Sequence, residues 1–111
     1  MDSPLLTRKF TQRIEVRVDG NRVPVQRACR DDQGILHVLI GLESAVTLDT
    51  TSDPGTVTIS GEGFSATSDS ITNTGLDGDD AFQIDATFPP GNEFGTDTIS
   101  LIIPYGDGPA C

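Results

Sequence analysis

A single histidine limits the catalytic chemistry open to this chain. His37 is the only histidine among 111 residues, so any Ser–His or Cys–His catalytic arrangement must use it. It lies within the apolar stretch GILHVLIGL, residues 34–42, and this setting predicts a core or interface histidine. Ser44 follows soon afterwards, but nothing around it marks a nucleophile. No two carboxylates stand apart as a general acid and base. We therefore predict that the protein is not an enzyme.

One segment carries the residue types of a metal site. NTGLDGDDAF, residues 73–82, contains Asp77, Asp79 and Asp80, whose hard oxygen ligands suit Ca²⁺. The spacing begins like an EF-hand loop and then departs from it, because Ala81 and Phe82 stand where a ligand and a glycine are needed. Asp and Gly are also favoured by turn geometry. We expect a polar hairpin loop and no cofactor, and Ca²⁺ binding stays open as the alternative.

The two cysteines, Cys29 and Cys111, form no CxxC motif. A single bridge between them is possible, but the spacing favours free thiols in a reducing compartment. The first residues, MDSPLLTRKF, lack the basic lead and long apolar run of a signal peptide. The longest apolar stretch is too short to span a bilayer. We expect a chain made in the cytoplasm and not bound to a membrane.

The charges are divided sharply along the chain. All seven Lys and Arg residues fall within positions 8–30, where RKFTQRIEVRVDGNRVPVQRACR stands. Residues 31–111 carry fourteen acidic side chains and no Lys or Arg, and the net charge of the whole chain is −10. A net negative chain repels phosphate, so direct nucleic-acid binding is not expected. Two interpretations of the basic segment remain: it pairs with the acids of its own chain, or it binds an acidic partner.

The remaining pattern predicts β-strands separated by turn residues. The strand candidates are RIEVRV (13–18), RVPVQR (22–27), ILHVLI (35–40), AVTLDT (45–50), TVTIS (56–60), GFSAT (63–67), SIT (70–72), AFQIDATF (81–88) and DTISLII (97–103). Short strands at this spacing predict an all-β fold, either a single small jelly roll or a β-sandwich. Apart from His37, ILHVLI is apolar, which predicts a strand buried on both faces. The segment SDPGT predicts a turn centred on Pro54 and Gly55.

The basic segment itself predicts a hairpin. With Gly20 and Asn21 at the centre of a two-residue turn, Val18 faces Val23 and Val16 faces Val25, so the apolar side chains share one face. Arg13, Arg17 and Arg22 then fall on the opposite face. Pro24 cannot donate a ladder hydrogen bond, so the second strand is expected at a sheet edge or at a bulge.

These features resemble one family of structural proteins. A small chain of strand character, with the basic segment RKFTQRIEVRV before an acidic body, is similar to the capsid decoration proteins, also called cement or staple proteins, of tailed bacteriophages. The resemblance is greatest to the staple protein of short-tailed phages. It implies a jelly-roll-like domain on the outer capsid surface that bridges major capsid subunits, often as a dimer or trimer, and stabilises the shell.

On this hypothesis the chain divides into an N-terminal arm (1–12), a β-domain (13–103) and a C-terminal tail (104–111) that looks loose. The partner is the major capsid protein and the location is the virion. The side chains expected to bind that partner are Arg8, Lys9, Arg13, Arg17, Arg22, Arg27 and Arg30. A homodimer is expected to use the edge strand near Val23–Ala28.

Two other functions are left open. VTLDTTSDPGTVTISGEGFSA is compatible with two strands of an immunoglobulin-like module that binds carbohydrate or a cell surface. Such a module stacks sugars on aromatic side chains, and the chain has only five Phe and one Tyr. A small β-fold hydrolase is the third interpretation, and it would depend on His37.

Overall fold

The protein is a sandwich of two antiparallel β-sheets. The computed structural model describes residues 10–41, 44–50, 55–76, 81–93, 95, 97–104 and 109–111. Its strands are β1 (Glu15–Val18), β2 (Asn21–Val23), β3 (Arg27–Arg30), β4 (Leu36–Leu39), β5 (Ser44–Asp49), β6 (Thr56–Gly61), β7 (Phe64–Thr67), β8 (Ser70–Leu76), β9 (Ala81–Thr87) and β10 (Thr98–Pro104). A helical turn at 10–13 precedes β1. The all-β prediction is confirmed.

The strand order is almost entirely sequential. One sheet has the order β2-β1-β10-β9-β8 and the other β3-β4-β5-β6-β7. Only the pairing of β1 with β10 joins strands that are distant in sequence, whereas a jelly roll is built from two Greek keys. Of the two predicted all-β architectures, the sandwich is therefore the one observed. The chain passes between sheets after β2 and after β7, so β2 and β3 lie on one lateral side and β7 and β8 on the other.

Alternating apolar residues from both sheets form the core. Leu36, Leu48, Ile59, Ile99 and Leu101 are fully buried. Each belongs to a strand in which every second side chain points inward, the pattern of a sheet with one face on the core and one in solvent. The aligned Ile99, Leu101 and Ile103 of β10 are all buried, as the sequence predicts. No helix in the described ranges is long and apolar enough to cross a membrane.

The basic hairpin forms, but two residues away from the predicted register. Val16 pairs with Val23 and Val18 with Asn21. The turn is centred on Asp19 and Gly20, whose φ angles are 51° and 83°. Positive φ at both central positions is the requirement of a type I′ turn, which Asp-Gly satisfies well. Because the shift is an even number of residues, every side chain keeps its predicted face.

The second strand of this hairpin is shorter than predicted. β2 lies at a sheet edge, which confirms that part of the prediction. It ends at Val23 because Pro24 has no backbone N–H to continue the ladder. The next strand, β3, begins at Arg27 in the other sheet. The predicted dimerisation edge near Val23–Ala28 is therefore not one continuous strand.

The strand around His37 also differs from its prediction. Leu36 and Val38 are buried in β4, whereas His37 and Leu39 are half-buried on its outer face. The prediction of a strand covered on both faces is wrong, because each sheet of a two-layer sandwich has only one covered face. His37 is consequently a surface residue rather than a core residue.

The free-thiol prediction is wrong as well. Cys29 and Cys111 form a disulfide with their Cα atoms 5.0 Å apart, across a sequence separation of 82. Residues 109–111 run parallel to the end of β3, and two backbone hydrogen bonds fasten them: Arg30 N donates to Pro109 O at 2.8 Å and Cys111 N donates to Arg30 O at 2.9 Å. This part of the predicted loose tail is thus bound to the sheet edge, and we call residues 109–111 the C-terminal strap.

Both ends of the predicted β-domain carry further contacts. Phe10 lies in the predicted arm, yet its side chain is buried and packs on the core. Gly55 has a φ of 88°, while Pro54, its partner in the predicted turn, lies outside the described residues. Asp77, Asp79 and Asp80 lie outside them too, so the predicted hairpin loop and the Ca²⁺ alternative stay open.

Candidate protein-docking surface

The described arginines gather on one lateral side of the sandwich. Residues 24–26 link β2 in one sheet to β3 in the other, and four Cα–Cα steps from Val23 to Arg27 span at most about 14 Å. The two strands must therefore lie close together. The helical turn at 10–13, the hairpin β1–β2 and the strand β3 carry the five arginines of this side. We call these residues the basic edge: Arg13, Arg17, Arg22, Arg27 and Arg30.

Two members of the basic edge face each other on the outer surface of the hairpin. Arg17 and Arg22 are directly opposite in the β1–β2 register, and both are exposed. Arg17 Nε donates to Glu15 Oε1 at 2.8 Å, which offsets part of its charge. Like charges directly opposite on neighbouring strands are destabilising. The hairpin therefore keeps an electrostatically unfavourable pair on its surface.

The other members differ in how far they are engaged within the chain. Arg27 and Arg22 are exposed, and the side chain of neither makes a hydrogen bond or ion pair within the described part of the protein. Arg30 is half-buried and donates from Nη1 to Gly34 O at 3.2 Å, so its main role is to fix the β3–β4 hairpin. Arg13 ends the helical turn, is exposed and already interacts within the chain. Arg8 and Lys9 lie outside the described residues.

A polar groove adjoins the hairpin on the same face. It has a volume of about 280 Å³ and is lined by Glu15, Arg17, Gly20, Gln83, Ser100 and Ile102. Beside it, Asp85 Oδ1 accepts hydrogen bonds from Ser100 Oγ at 2.6 Å and Gln83 Nε2 at 3.1 Å. Ser100 thus donates to a carboxylate and has no imidazole beside it, since the only histidine lies on the other sheet. The groove offers hydrogen-bonding groups for a ligand, and this serine has no base to activate it.

The opposite lateral side, formed by β7 and β8, carries no Lys or Arg in its strands. An open groove of about 640 Å³ follows the edge of β7 and is lined by Gly63–Thr67, Pro89 and Gly91–Glu93. Glu93 is the only charged residue among these. The described arginines therefore lie on one side of the fold, whereas the described acids are spread over it and include Asp31 and Asp32 beside β3.

A second polar cluster surrounds the disulfide, and sequence reasoning missed it. Cys29 pairs with His37 across β3 and β4, and His37 Nε2 donates to Asp31 Oδ2 at 2.8 Å. This hydrogen bond lowers the pKa of Asp31 below its ordinary value of 3.8, and the backbone N–H groups of Ile35 and Gln33 act in the same direction. The sequence did contain a signal for this cluster, namely the turn residues DDQG at 31–34. A hairpin with its turn there places Cys29 opposite His37.

Metal binding has no candidate among the residues that the structure describes. No group of three or more His, Cys, Asp or Glu side chains lies close enough together there to hold an ion. Cys29 and Cys111 are joined to each other, which leaves His37 and Asp31 as the nearest pair of ligand types.

Comparisons with protein-family models, with curated proteins and with solved structures find no match to this chain. The functional hypothesis therefore has to be built from the site geometry and the charge distribution.

Proposed function

We propose that the chain is a non-enzymatic structural protein that binds the outer surface of a viral capsid and bridges major capsid subunits, with the basic edge as its contact surface. The observation that carries the proposal is the exposed pair Arg17–Arg22. Two arginines placed opposite each other weaken the hairpin, whereas an acidic partner surface would turn the same pair into a favourable contact.

The composition of the basic edge supports a protein partner. All five cations are Arg, whose planar guanidinium binds carboxylates in a bidentate manner and is enriched at protein interfaces. A nucleic-acid partner is less favoured, because the net charge of −10 opposes approach to phosphate. The β7–β8 side, whose strands carry no Lys or Arg, would then face away from the shell, and the net negative charge of the chain would keep the outer surface soluble.

The disulfide supports a location outside a reducing compartment. Disulfides persist in oxidising surroundings, and virion surfaces are among these. The expectation of a reducing compartment rested on free thiols, which the fold does not contain in its described part. A virion component made in the cytoplasm would form the Cys29–Cys111 bond after assembly or release.

The carbohydrate-binding alternative has one described aromatic ring to draw on. Phe10 and Phe88 are buried, and Phe64 and Phe82 are half-buried against the core. Of these four, Phe64 lines the open groove beside β7, and one half-buried ring is a small platform for sugar stacking. The sequential strand order also differs from the Greek-key connections of the immunoglobulin fold.

The proposal is tested by co-sedimentation of the chain with capsid shells assembled from the candidate major capsid protein of the same virus. The test variant is Arg22→Gln with Arg27→Gln, which removes two charges that have no partner within the described chain. The matched control is Ser65→Asp with Thr72→Asp, which changes the net charge by the same amount. Both control positions are exposed and lie on β7 and β8.

We expect the wild-type chain and the control to saturate the shell, and the Arg22→Gln, Arg27→Gln variant to bind at least about tenfold more weakly, because two interface charge contacts of about 1 kcal/mol are lost. Equal occupancy of all three proteins would refute the role of the basic edge. No binding of the wild-type chain, together with binding to a glycan array, would favour the carbohydrate-binding alternative.

A further inference from the structure

A disulfide, an imidazole and a carboxylate lie near one another on the β3–β4 hairpin: Cys29–Cys111, His37 and Asp31. Cys29 and His37 are directly opposite across the two strands, and opposite residues share a face with their Cβ atoms about 4.5–5.5 Å apart. His37 Nε2 donates to Asp31 Oδ2 at 2.8 Å. The hairpin thus places the histidine beside Cys29 on one face and binds its ring to a carboxylate.

The carboxylate is held rigidly by the hairpin loop. Asp31 Oδ1 accepts hydrogen bonds from Gln33 N at 2.9 Å and from Ile35 N at 3.0 Å. Its second oxygen is therefore fixed toward His37. A carboxylate that binds one imidazole nitrogen sets the tautomer and orientation of the ring. In the described part of the chain Nδ1 of His37 has no hydrogen-bond partner. This nitrogen can therefore exchange a proton with the sulfur of Cys29.

The two sulfurs differ in exposure. Cys111 is exposed, Cys29 is half-buried, and the side chain of His37 is 41% exposed. A thiol arriving from solvent reaches Cys111 more easily. Attack on Cys111 makes Cys29 the leaving group, which is the sulfur beside His37. An imidazolium next to a departing thiolate stabilises it, and a more stable thiolate leaves faster.

The charged surroundings of this sulfur reinforce that direction. On β3, Arg27 precedes Cys29 by two residues and lies on the same outer face, so its positive charge also favours the thiolate. On β5, the residue opposite His37 is the uncharged Thr47. Arg30 is bound to Gly34 O. Asp31 is the carboxylate of the cluster, and it acts on the sulfur through the imidazole.

We propose that Cys29–Cys111 is an exchangeable disulfide that reacts with a cysteine thiol of a partner protein. The partner thiolate attacks Sγ of Cys111, the Sγ–Sγ bond breaks and its electron pair passes to Sγ of Cys29. The proton lost by the partner thiol ends on Cys29, delivered through His37. One disulfide and one thiol are consumed and one of each is formed, so no external oxidant or reductant is needed. His37 acts on the leaving sulfur, and Asp31 is a positioning residue.

The exchange has a structural consequence that goes beyond capsid binding. Once the bond opens, the contacts that hold the C-terminal strap within the described residues are two backbone hydrogen bonds to Arg30. The strap carries the mixed disulfide on Cys111, and its departure uncovers the outer edge of β3. The chain would thereby be linked covalently to a partner while exposing an unpaired strand edge that can accept another strand.

The test uses the folded, oxidised full chain and glutathione as the thiol probe. Aliquots are quenched with N-ethylmaleimide, and peptide mass spectrometry records which cysteine carries each label. We expect glutathione on Cys111 and the maleimide on Cys29. His37→Gln should slow opening about fivefold, the effect of losing one half-exposed charge contact. Asp31→Asn should slow it less and shift the pH profile. Thr47→Ala, on the neighbouring strand, should leave the rate unchanged.

A measurement in concentrated urea separates chemistry from folding. There the wild-type chain and His37→Gln should open at equal rates, because the strands no longer bring His37 to Cys29. Equal rates in the native proteins would overturn the proposal, as would glutathione attached mainly to Cys29. A native disulfide that does not open in excess glutathione would also overturn it, and would identify the bond as purely structural.

Discussion

At the scale of single residues, Arg22 is the most informative position. It lies opposite Arg17 and has no partner of its own within the described chain. A charged residue at an edge strand discourages unwanted pairing with other chains. Opposite Arg17, however, a second arginine lowers the stability of the hairpin, and an uncharged glutamine there would not. Binding to an acidic partner surface, as in the proposed function, would explain why Arg22 is present despite this loss of stability.

The isolated protein should therefore become more stable when Arg22 is replaced by Glu. The new carboxylate would face Arg17, and an opposite-charge cross-strand pair contributes about 0.2–1 kcal/mol. Urea unfolding at low salt measures the change, with Arg22→Gln expected between the two proteins. The same Arg22→Glu variant should lose capsid binding. A variant that is less stable than the wild type would show that Arg22 has a structural role instead.

The pair Asp31–His37 predicts how stability responds to acid. The pKa of Asp31 is lower in the folded protein than its ordinary value of 3.8, chiefly because His37 donates to it. The unfolded chain then binds the proton at a higher pH than the folded chain does. The contribution of this carboxylate is present above 3.8 and is lost as the pH falls through the lower folded value.

Asp31→Asn tests this directly. The free energy of unfolding of the wild type should exceed that of the variant at neutral pH. The difference should shrink as the pH falls below about 4, where Asp31 of the unfolded chain becomes protonated before that of the folded chain. Denaturant titrations at several pH values provide the measurement. A difference that stays constant across this range would contradict the assigned pKa shift.

At the scale of elements, the β1–β2 hairpin shows what a local pattern determines and what it leaves open. Alternation of apolar and polar residues predicted both strands and the correct inward face. It did not choose between Asp19-Gly20 and Gly20-Asn21 at the turn, because both put the valines on one face. Contacts distant in sequence favour the turn at Asp19-Gly20, because Asp19 Oδ1 accepts hydrogen bonds from Asp97 N at 2.9 Å and Thr98 N at 3.1 Å.

Asp19→Val should consequently destabilise the protein by about 1–3 kcal/mol, since a β-branched residue is strained at a φ of 51° and two backbone N–H groups lose their acceptor. Asp19→Asn keeps an acceptor oxygen and tolerates this backbone, so it should cost clearly less. Thermal unfolding of the two variants supplies the comparison. Equal losses would mean that the charge of Asp19, rather than the turn, is what matters.

The strap and β3 were harder to foresee than any strand. Cys29 and Cys111 are 82 residues apart in sequence, and no local pattern pairs them. Their contact follows from the global path, because β10 brings the end of the described chain back to the side where β3 lies. For the same reason the cluster of Cys29, His37 and Asp31 was not recognised. Its three residues looked like a free thiol, a core histidine and a loop acid.

Removing the bridge should lower the stability by about 2–4 kcal/mol, because a bridge restricts the unfolded chain and long loops gain most. Cys29→Ser with Cys111→Ser is the variant, and urea unfolding of the oxidised wild type is the reference. The reduced wild type should match the variant. If reduction has no effect on the unfolding midpoint, the bond does not contribute to the folded state in solution.

At the scale of the whole molecule, the sequence predicted the class of fold and left the topology open. Strand spacing indicated an all-β domain, and the alternating apolar residues indicated core positions such as Ile99, Leu101 and Ile103, which are buried. The structure confirms a sandwich. The strand spacing could not distinguish a jelly roll from a meander, in which strands that follow each other along the chain are neighbours in the sheet. Both folds use short strands joined by polar turns. The difference lies in which strands are neighbours, and here the pairing of β1 with β10 joins strands that no local turn connects.

The same meander gives the charge division its shape. Because neighbouring strands follow each other along the chain, the described arginines between positions 13 and 30 stay together on one lateral side. The central claim is that this basic side is the one that faces an acidic partner on a capsid.

Electron cryomicroscopy of shells saturated with the chain tests that claim most directly. The account predicts density on the outer surface, with β2 and the exposed start of β3 facing the shell, and with Arg22 and Arg27 against acidic side chains of two capsid subunits. Density in which the β7–β8 side contacts the shell would contradict it, and so would a shell that carries no added density at saturating concentrations of the folded chain.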